Sequence, residues 1–281
     1  MTIGIIGLGL IGGSLAKDLR ANGFADHILG CEYNPAHASL AASLGIADSL
    51  LTLEEICRQA DLIILAVPVK AMRQLLPEIM NQIRPEAVVV DMGSTKKELC
   101  SHIATHPRRG RFVAAHPMAG TEHSGPAAAI SNLFHGKAAI ICEKEKSDPD
   151  ALRIAERMFK SLFMRLLYMR PDDHDVHTAF VSHISHITSY VLALTVLEKE
   201  KSESNIFELA SGGFASTVRL AKSSPRMWRD IYEQNADNIL EVLDAYLEKM
   251  TQFRELIANQ QFDTTYQLME EANQIRRILP T

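Results

Sequence analysis

Glycine is distributed unevenly along this chain of 281 residues and divides it into two parts. Thirteen of the 15 glycines come before residue 170, and the other two are Gly212 and Gly213. Glycine marks turns between short elements, so a segment that lacks it favours long, uninterrupted helices. The sequence therefore predicts short strands and helices over residues 1–170 and a helical domain over residues 171–281.

The first part alternates runs rich in β-branched residues with helical patterns. Such alternation is typical of parallel βαβ units with helices on both faces of one sheet, which predicts a Rossmann-type, doubly wound α/β domain. Strands are predicted at Ile3–Ile6, Ile28–Cys31, Leu62–Val67, Val88–Asp91, Phe112–Ala115, Ala138–Cys142 and Leu166–Met169, and helices at Gly12–Ala21, Pro35–Leu44, Lys70–Ile83 and Lys96–Ala104.

The second part carries apolar residues at helical spacing. These stripes form helix faces that must pack against something, either within a bundle or against a second copy of the chain, and we favour a homodimer through the C-terminal helices. The two stripes are Phe180, Ile184, Ile187, Val191 and Leu194, and Ile239, Leu243, Tyr246, Met250, Phe253 and Ile257.

Composition and charge exclude several classes of protein. The hydrophobic share of 47% and the net charge of −5 are those of a globular chain without a basic surface for nucleic acid. The longest apolar run, around Leu62–Val69, is of strand length, so no membrane helix is expected. The sequence opens with no recognisable leader and contains no CxxC motif, and we therefore expect a cytoplasmic protein.

A GxGxxG motif directly follows the first predicted strand and opens the first helix. In this context the glycines allow a tight turn and a close approach of the backbone to a pyrophosphate, which the helix N-terminus then binds. The residues expected to contact a dinucleotide are Gly7, Leu8, Gly9, Leu10, Ile11, Gly12, Glu32, Val67 and Ser94.

Glu32 indicates which dinucleotide is bound. It lies 20 residues beyond Gly12, where a carboxylate bonds the ribose 2′-hydroxyl. The following residues, Tyr33, Asn34 and Pro35, offer no cation for a 2′-phosphate. We therefore expect NAD as the cofactor and expect Glu32 to disfavour NADP.

Two further segments follow strand ends at the edge of the sheet where ligands bind. Asp91–Lys96 reads DMGSTK, and Ala115–Glu122 reads AHPMAGTE. A histidine and a serine beside a nicotinamide suit the oxidation of a hydroxyl group, with the histidine taking the proton. This makes His116 a candidate base and Ser94 its neighbour, although a single histidine before proline is often only a loop residue.

The helical part adds His174, His177, His183 and His186. Histidine is a common zinc ligand, but the two pairs point in different directions and no cysteine or acid cluster completes a site, so we expect no metal. At 100° per residue, Asp175, Ser182 and His186 share one polar stripe, which favours a polar pocket, with His174 or His177 as possible surface residues. Arg219, behind Gly212-Gly213, offers a fork for a carboxylate.

Together these segments resemble the prephenate/arogenate dehydrogenase family of tyrosine biosynthesis nearly from end to end. The substrates of this family are cyclohexadienes with a ring hydroxyl, a ring carboxylate and a second carboxylate on a side chain. The motifs that carry the resemblance are GLGLIGGS at Gly7–Ser14, DMGSTK at Asp91–Lys96, HPMAGTEHSG at His116–Gly125, HDVHTAFVSHISH at His174–His186 and GGFASTVRLA at Gly212–Ala221, followed by Trp228.

The resemblance implies a role for each matching residue. His116 would accept the proton of the ring hydroxyl, Ser94 would orient that hydroxyl, and Arg219 would bind the side-chain carboxylate. It also implies a homodimer and the oxidative decarboxylation of prephenate to 4-hydroxyphenylpyruvate with NAD. The other residues that it places at the substrate are His186, His183, Ser182, Thr121, Glu122 and Trp228.

Two departures and three alternatives accompany this interpretation. Ser185 stands where the family usually has proline, and Ala215 stands where a cation is common, which puts affinity or substrate preference in doubt. The sequence does not separate prephenate from arogenate. A β-hydroxyacid dehydrogenase would have a helical lysine as its acid and base. A non-catalytic NAD-binding sensor would have lost His116, Ser94 or Arg219, and all three are present.

Overall fold

A computed structural model describes residues 1–203 and 205–278. Contacts within the chain group the described residues into two compact units, one up to Ala236 and the other from Asp237 onward. The domain boundary between residues 170 and 171 stays a prediction.

The first unit is built on an eight-stranded sheet with the strand order β3-β2-β1-β4-β5-β6-β7-β8. All neighbouring strands are parallel except β6 and β7, which are antiparallel. The strands are β1 (Thr2–Ile6), β2 (His27–Cys31), β3 (Ser49–Leu50), β4 (Leu62–Leu65), β5 (Val88–Asp91), β6 (Phe112–Pro117), β7 (Ala138–Cys142) and β8 (Arg165–Met169).

Six helices accompany these strands in sequence. The central strands are covered on both faces, as the complete burial of the four aliphatic residues of β4 shows. Local signals set the helix starts: the Asn34 side chain caps α2, and Thr52 and Glu55 form a capping box at α3. The helices are α1 (Leu10–Ala21), α2 (Pro35–Ser43), α3 (Leu53–Gln59), α4 (Val69–Gln82), α5 (Lys97–Ile103) and α6 (Pro149–Ser161).

The predicted Rossmann-type sheet is confirmed, with differences at one side. The order β3-β2-β1-β4-β5-β6 places a topological switch point between β1 and β4, where such folds bind ligands. The purely parallel pairing was wrong for β7. Residues 118–137, between β6 and β7, contain only a short 3-10 helix, Pro126–Ala128, rather than the crossover helix that a parallel connection requires.

The rest of the first unit is helical. A nearly continuous run begins with α7 (Pro171–Thr178), passes through a π-helical turn at Ala179–His183 and continues as α8 (Ile184–Glu200). Then come α9 (Gly212–Thr217), a 3-10 turn at Arg219–Lys222 and α10 (Pro225–Gln234).

The run Pro171–Glu200 corrects one expectation. No helix apolar enough to cross a membrane was expected, but by length and composition alone this run is, with a mean hydropathy of 1.4 in its most apolar window. One such helix is weak evidence for a span. Its first turns bury His174 and Asp175 in polar contacts with the rest of the unit, as described below.

The second unit contains most of α11 (Ala236–Ala258), followed by α12 (Phe262–Ala272) and a 3-10 turn at Asn273–Arg277. Much of the predicted apolar stripe of α11 is uncovered in the single chain. Its exposed members are Tyr246, Met250 and Ile257.

Candidate active site

The glycine-rich turn between β1 and α1 has the form that phosphate binding requires. Gly7 has a φ of +91°, and a Cβ atom at this position would lie 2.5 Å from the carbonyl oxygen of Ala66 and 2.9 Å from Val67 Cγ1. A Cβ atom at Gly12 would lie 1.9 Å from the carbonyl oxygen of Gly7. At Gly9 it would meet only the Gly125 backbone nitrogen, at 4.0 Å. The turn is therefore closely packed at Gly7 and Gly12 and open at Gly9, which leaves room for a pyrophosphate.

Glu32 is fixed at the end of β2 beside this turn. Its Oε2 accepts a hydrogen bond from the Leu8 backbone N–H at 2.9 Å, and its Oε1 accepts one from the Asn34 N–H at 3.0 Å. Each carboxylate oxygen retains capacity for a further donor. The carboxylate thus lies next to the phosphate-binding turn, where the spacing had placed it, and these residues fit a dinucleotide.

His116 lies near the carboxyl end of β6, and its side chain is partly exposed. Its Nδ1 is 2.8 Å from Nε2 of His174, and the two ring planes are inclined at 62°. Burial, followed by the charges that His174, Lys96 and His183 can carry, holds the pKa of His116 well below the ordinary value of 6.5. The ring is therefore neutral at neutral pH, as a proton acceptor must be.

A buried ion pair lies beneath the edge of the sheet. Lys96 and Asp91 are both fully buried, and Lys96 Nζ donates to Asp91 Oδ2. The same carboxylate accepts the backbone N–H groups of Gly93 and Ala115, each at 2.9 Å. Removing one partner of such a pair typically costs about 3–5 kcal/mol. The sequence motif contained both residues, but sequence reasoning did not identify their pairing.

Asp175 connects α7 to the start of α5. Its Oδ1 accepts from the Lys96 backbone N–H at 2.8 Å and lies 2.7 Å from His174 Nδ1. Its Oδ2 accepts from the Lys97 N–H at 2.9 Å. The alternative that His174 is a surface residue was therefore wrong, because the ring is fully buried. His177, by contrast, is exposed.

The polar stripe predicted for Asp175, Ser182 and His186 was also wrong. It assumed 100° per residue throughout, but the π-helical turn interrupts that period between the first residue and the other two. Asp175 is buried and bonded to the start of α5, whereas Ser182 and His186 are partly exposed. A hydrogen bond of 3.0 Å joins the His186 ring to the Ser182 carbonyl oxygen.

Aromatic and polar groups surround His186 and His183. The His186 ring lies over Trp228, with ring centroids 3.7 Å apart, and His183 meets the same indole edge-on at 5.8 Å. His183 Nδ1 is 3.2 Å from Asn235 Nδ2, which also donates to the Asp175 carbonyl oxygen. Burial lowers the pKa of His183 to about 4, so this ring is neutral too.

Trp228 and its neighbours also line an apolar cavity of about 420 Å³. In the described part of the chain, Trp228 Nε1 and the Tyr232 hydroxyl are buried and have no hydrogen-bond partner. The lining residues are Ile187, Tyr190, Val191, Pro225, Trp228, Arg229 and Tyr232.

Arg219 reaches the loop that follows His116. Its Nη1 donates to Glu122 Oε2 at 2.7 Å, and its side chain is 50% exposed. A backbone hydrogen bond, followed by the bond from Arg219, lowers the pKa of Glu122. Burial lowers the pKa of His186. The hydrogen bond to the Ser182 carbonyl oxygen opposes this shift, and the Arg219 charge adds to it. Arg219 therefore belongs to the same polar region as His186.

Thr121 and Ser94 lie on the loops that follow β6 and β5. The Thr121 hydroxyl accepts from the His123 N–H at 3.2 Å. Ser94 is partly exposed and lies between Asp91 and Lys96. The roles of both residues, like those of the other site residues, stay predictions. Among the residues that the structure describes, no group of three or more His, Cys, Asp or Glu side chains is arranged to hold a metal.

Comparison with known proteins gives a consistent result for both parts of the chain. The nucleotide-binding domain of prephenate dehydrogenase, as a family model, matches residues 15–168, and the prephenate dehydrogenase dimerization domain matches residues 170–271. The prephenate dehydrogenase of Bacillus subtilis (strain 168) is 32% identical over 285 residues, which cover 99% of this chain and 76% of that protein.

Two further relatives agree with this result. The cyclohexadienyl dehydrogenase of Zymomonas mobilis is 30% identical over 99% of this chain and 96% of its own length. The crystal structure of prephenate dehydrogenase from A. aeolicus in complex with hydroxyphenyl propionate and NAD+ matches with a TM-score of 0.89 and 32% identity, over 99% of this chain and 97% of that one. The resemblance seen in the motifs is confirmed, and the chain belongs to the prephenate dehydrogenase family.

Proposed function

We propose that this chain is an NAD-dependent dehydrogenase that converts prephenate to 4-hydroxyphenylpyruvate by oxidative decarboxylation. The observation that carries the proposal is the position of His116 near the carboxyl end of β6, at the same edge of the sheet as the open glycine-rich turn. Membership of the prephenate dehydrogenase family supports it. In tyrosine biosynthesis, this reaction is the step that makes the ring aromatic.

The residues of the site divide the chemistry between them. NAD, which the turn at Gly7–Gly12 and Glu32 would hold, would supply the acceptor for the hydride of the ring carbon that carries the hydroxyl. His116 Nε2 takes the hydroxyl proton as the carbon–oxygen double bond forms, and the proton returns to that oxygen when CO₂ leaves and the ring becomes aromatic. Aromatisation makes the step strongly favourable, so the protein mainly positions groups and balances charge.

The remaining polar groups orient the substrate. Ser94 orients the ring hydroxyl together with His116. The His186 ring, tilted over Trp228 with ring centroids 3.7 Å apart, contacts the substrate in this proposal. His183, Ser182 and Thr121 complete the polar lining of the substrate pocket.

Arg219 binds the side-chain carboxylate of the substrate. A guanidinium carries five N–H donors, and the bond to Glu122 uses one of them. A substrate carboxylate therefore bonds the remaining donors or displaces Glu122. In either case, Glu122 holds the guanidinium at the loop beside His116 until the substrate arrives.

Arogenate is the alternative substrate, and it differs from prephenate only in an amino group in place of the side-chain keto group. The relative named cyclohexadienyl dehydrogenase keeps this alternative open. A non-catalytic NAD-binding sensor is the second alternative, and measured turnover distinguishes it from both enzymes.

We also propose that the chain forms a homodimer in the cytoplasm, with no nucleic acid or membrane as partner. The prephenate dehydrogenase dimerization domain matches residues 170–271. In the single chain, Val191, Leu194 and Leu197 on α8 are each at least half exposed, which is unusual for neighbouring large aliphatic residues. A second copy of the chain accounts for this apolar face.

Turnover with prephenate tests the proposed activity. Purified protein with NAD and prephenate should produce NADH, and His116→Asn should lower kcat about 10²–10⁴-fold because the proton acceptor is lost. His102→Asn, at an exposed position on α5, is the control and should keep its activity. If NADH forms with arogenate alone, arogenate and not prephenate is the substrate. If no NADH forms with either compound, the proposed enzyme activity is refuted.

The preference for NAD over NADP tests the proposed role of Glu32. Glu32→Gln keeps an oxygen for the Leu8 N–H but removes the charge that repels a 2′-phosphate. The ratio of kcat/KM for NAD to that for NADP should fall about tenfold or more, the equivalent of about 1.4 kcal/mol. Glu54→Gln, an exposed acid on α3, should leave the ratio unchanged. An unchanged ratio in Glu32→Gln would contradict the proposed basis of NAD preference.

Substrate binding tests Arg219. Arg219→Ala should raise KM for prephenate at least tenfold with a smaller change in kcat, because the ion pair forms in the ground state and the transition state alike. Lys222→Ala removes an exposed cation from the same 3-10 turn and should change neither constant. A loss of kcat at constant KM in Arg219→Ala would show that the assigned role is wrong.

Light scattering at micromolar concentration tests the dimer. The wild-type chain should have twice the mass of one chain. Leu194→Glu should shift it towards the monomer, because a charge in a buried apolar interface is costly. Lys199→Glu alters an exposed charge on the same helix and should remain dimeric. A wild-type monomer would refute the proposal.

A further inference from the structure

His174 has no role in the proposed reaction, yet it is fully buried and bonded to the proposed base. It is contributed by α7, whereas His116 comes from β6. Two imidazoles from separate elements that meet at 2.8 Å must agree on which nitrogen carries the shared proton. That choice determines which tautomer His116 adopts.

The Asp175 carboxylate determines which ring nitrogen of His174 carries the proton. It accepts from the Lys96 and Lys97 backbone N–H groups, which can only donate. His174 Nδ1, 2.7 Å from Oδ1, must therefore carry a proton and donate it to the carboxylate. In a neutral imidazole this leaves Nε2 of His174 without a proton, as a hydrogen-bond acceptor.

The same rule then applies to the second ring. Because His174 Nε2 is an acceptor, the contact at 2.8 Å requires a proton on His116 Nδ1. A neutral His116 with its proton on Nδ1 has a bare Nε2. The chain of bonds thus leaves His116 with its basic nitrogen directed away from His174 and free for a reacting hydroxyl.

Burial, with a smaller effect of the surrounding charges, keeps both rings neutral. The groups that face His116 are His174, Lys96 and His183, and burial is the largest effect that lowers its pKa. Burial also lowers the pKa of His174, helped by Lys96 and opposed by Asp175 and Asp91. The net direction for both rings is towards the neutral form, in which the tautomer argument holds.

We propose that His174 and Asp175 are positioning residues that fix His116 as the Nδ1–H tautomer, so that Nε2 accepts the proton of the substrate hydroxyl. The inference rests on the proposed function. In the step itself the hydroxyl O–H bond breaks and an N–H bond forms at His116 Nε2. The carbon that carries the hydroxyl loses a hydride, for which the nicotinamide would be the acceptor, and becomes doubly bonded to the oxygen. His174 Nε2 continues to accept from Nδ1–H of the resulting imidazolium.

A purely structural role for Asp175, as a cap for α5, would leave the tautomer of His116 unconstrained. The two interpretations differ in what happens when only the acceptor at His174 is removed. Gln and Met have similar lengths, and the Gln amide brings an oxygen near the position of the histidine Nε2 whereas Met does not. His174→Gln and His174→Met therefore form a matched pair.

Kinetics of this pair give the first readout. His174→Met should lose about 10²-fold or more in kcat, with KM for prephenate and NAD within about threefold of wild type, because ground-state contacts are unaffected. His174→Gln should recover at least about tenfold of that loss. His177→Met, at an exposed position on the same helix, should behave as wild type. Equal kcat in Met, Gln and wild type would overturn the proposal.

Nitrogen-15 NMR of the histidine rings gives the second readout and needs no substrate. With the His116 signals assigned by their loss in His116→Asn, the wild-type ring at neutral pH should be protonated on Nδ1 and bare on Nε2. A proton on Nε2 would overturn the proposal, even if His174→Met failed to fold. Absence of wild-type turnover would instead refute the proposed function and leave the tautomer result standing.

Discussion

The Asp175 carboxylate is the contact on which the arrangement of the site depends. It accepts the first backbone N–H groups of the α5 region and holds the His174 ring, and His174 in turn meets His116 on β6. One side chain on α7 therefore ties the helical segment to the carboxyl edge of the sheet. Because the carboxylate only accepts, it also imposes a direction on every hydrogen bond that follows.

Positive charge in this region is placed at two depths. Lys96 is fully buried and neutralised by Asp91, so it stabilises the loop between β5 and α5 and disfavours protonation of the histidines above it. Arg219 is half exposed and paired with Glu122, as the proposed binding of an anionic substrate requires. Burial thus separates a cation that tunes the site from one that is available for binding.

Sequence reasoning predicted the parts of the molecule that local rules determine. The glycine spacing and the position of Glu32 follow from the geometry of one strand, turn and helix, and the structure places both at that turn. His116 was identified because it follows a strand at the ligand-binding edge. The short strand β3 was not predicted, since two residues carry no periodic signal.

The contacts of α7 were beyond sequence reasoning for a physical reason. The burial of His174 depends on packing between segments that are 58 residues apart, and no local pattern encodes it. The π-helical turn shifts the phase of every residue that follows, so the stripe assumed for Asp175 and His186 failed.

The central claim is that His116 Nε2 is the atom that receives the substrate proton. The most direct test is a crystal structure of the protein with NAD and a hydroxyphenyl product analogue. We expect the ring hydroxyl oxygen to lie about 2.6–3.2 Å from His116 Nε2, with His174 still bonded to Nδ1. A hydroxyl directed to any other side chain, with Nε2 facing away from it, would show that His116 is not the proton acceptor.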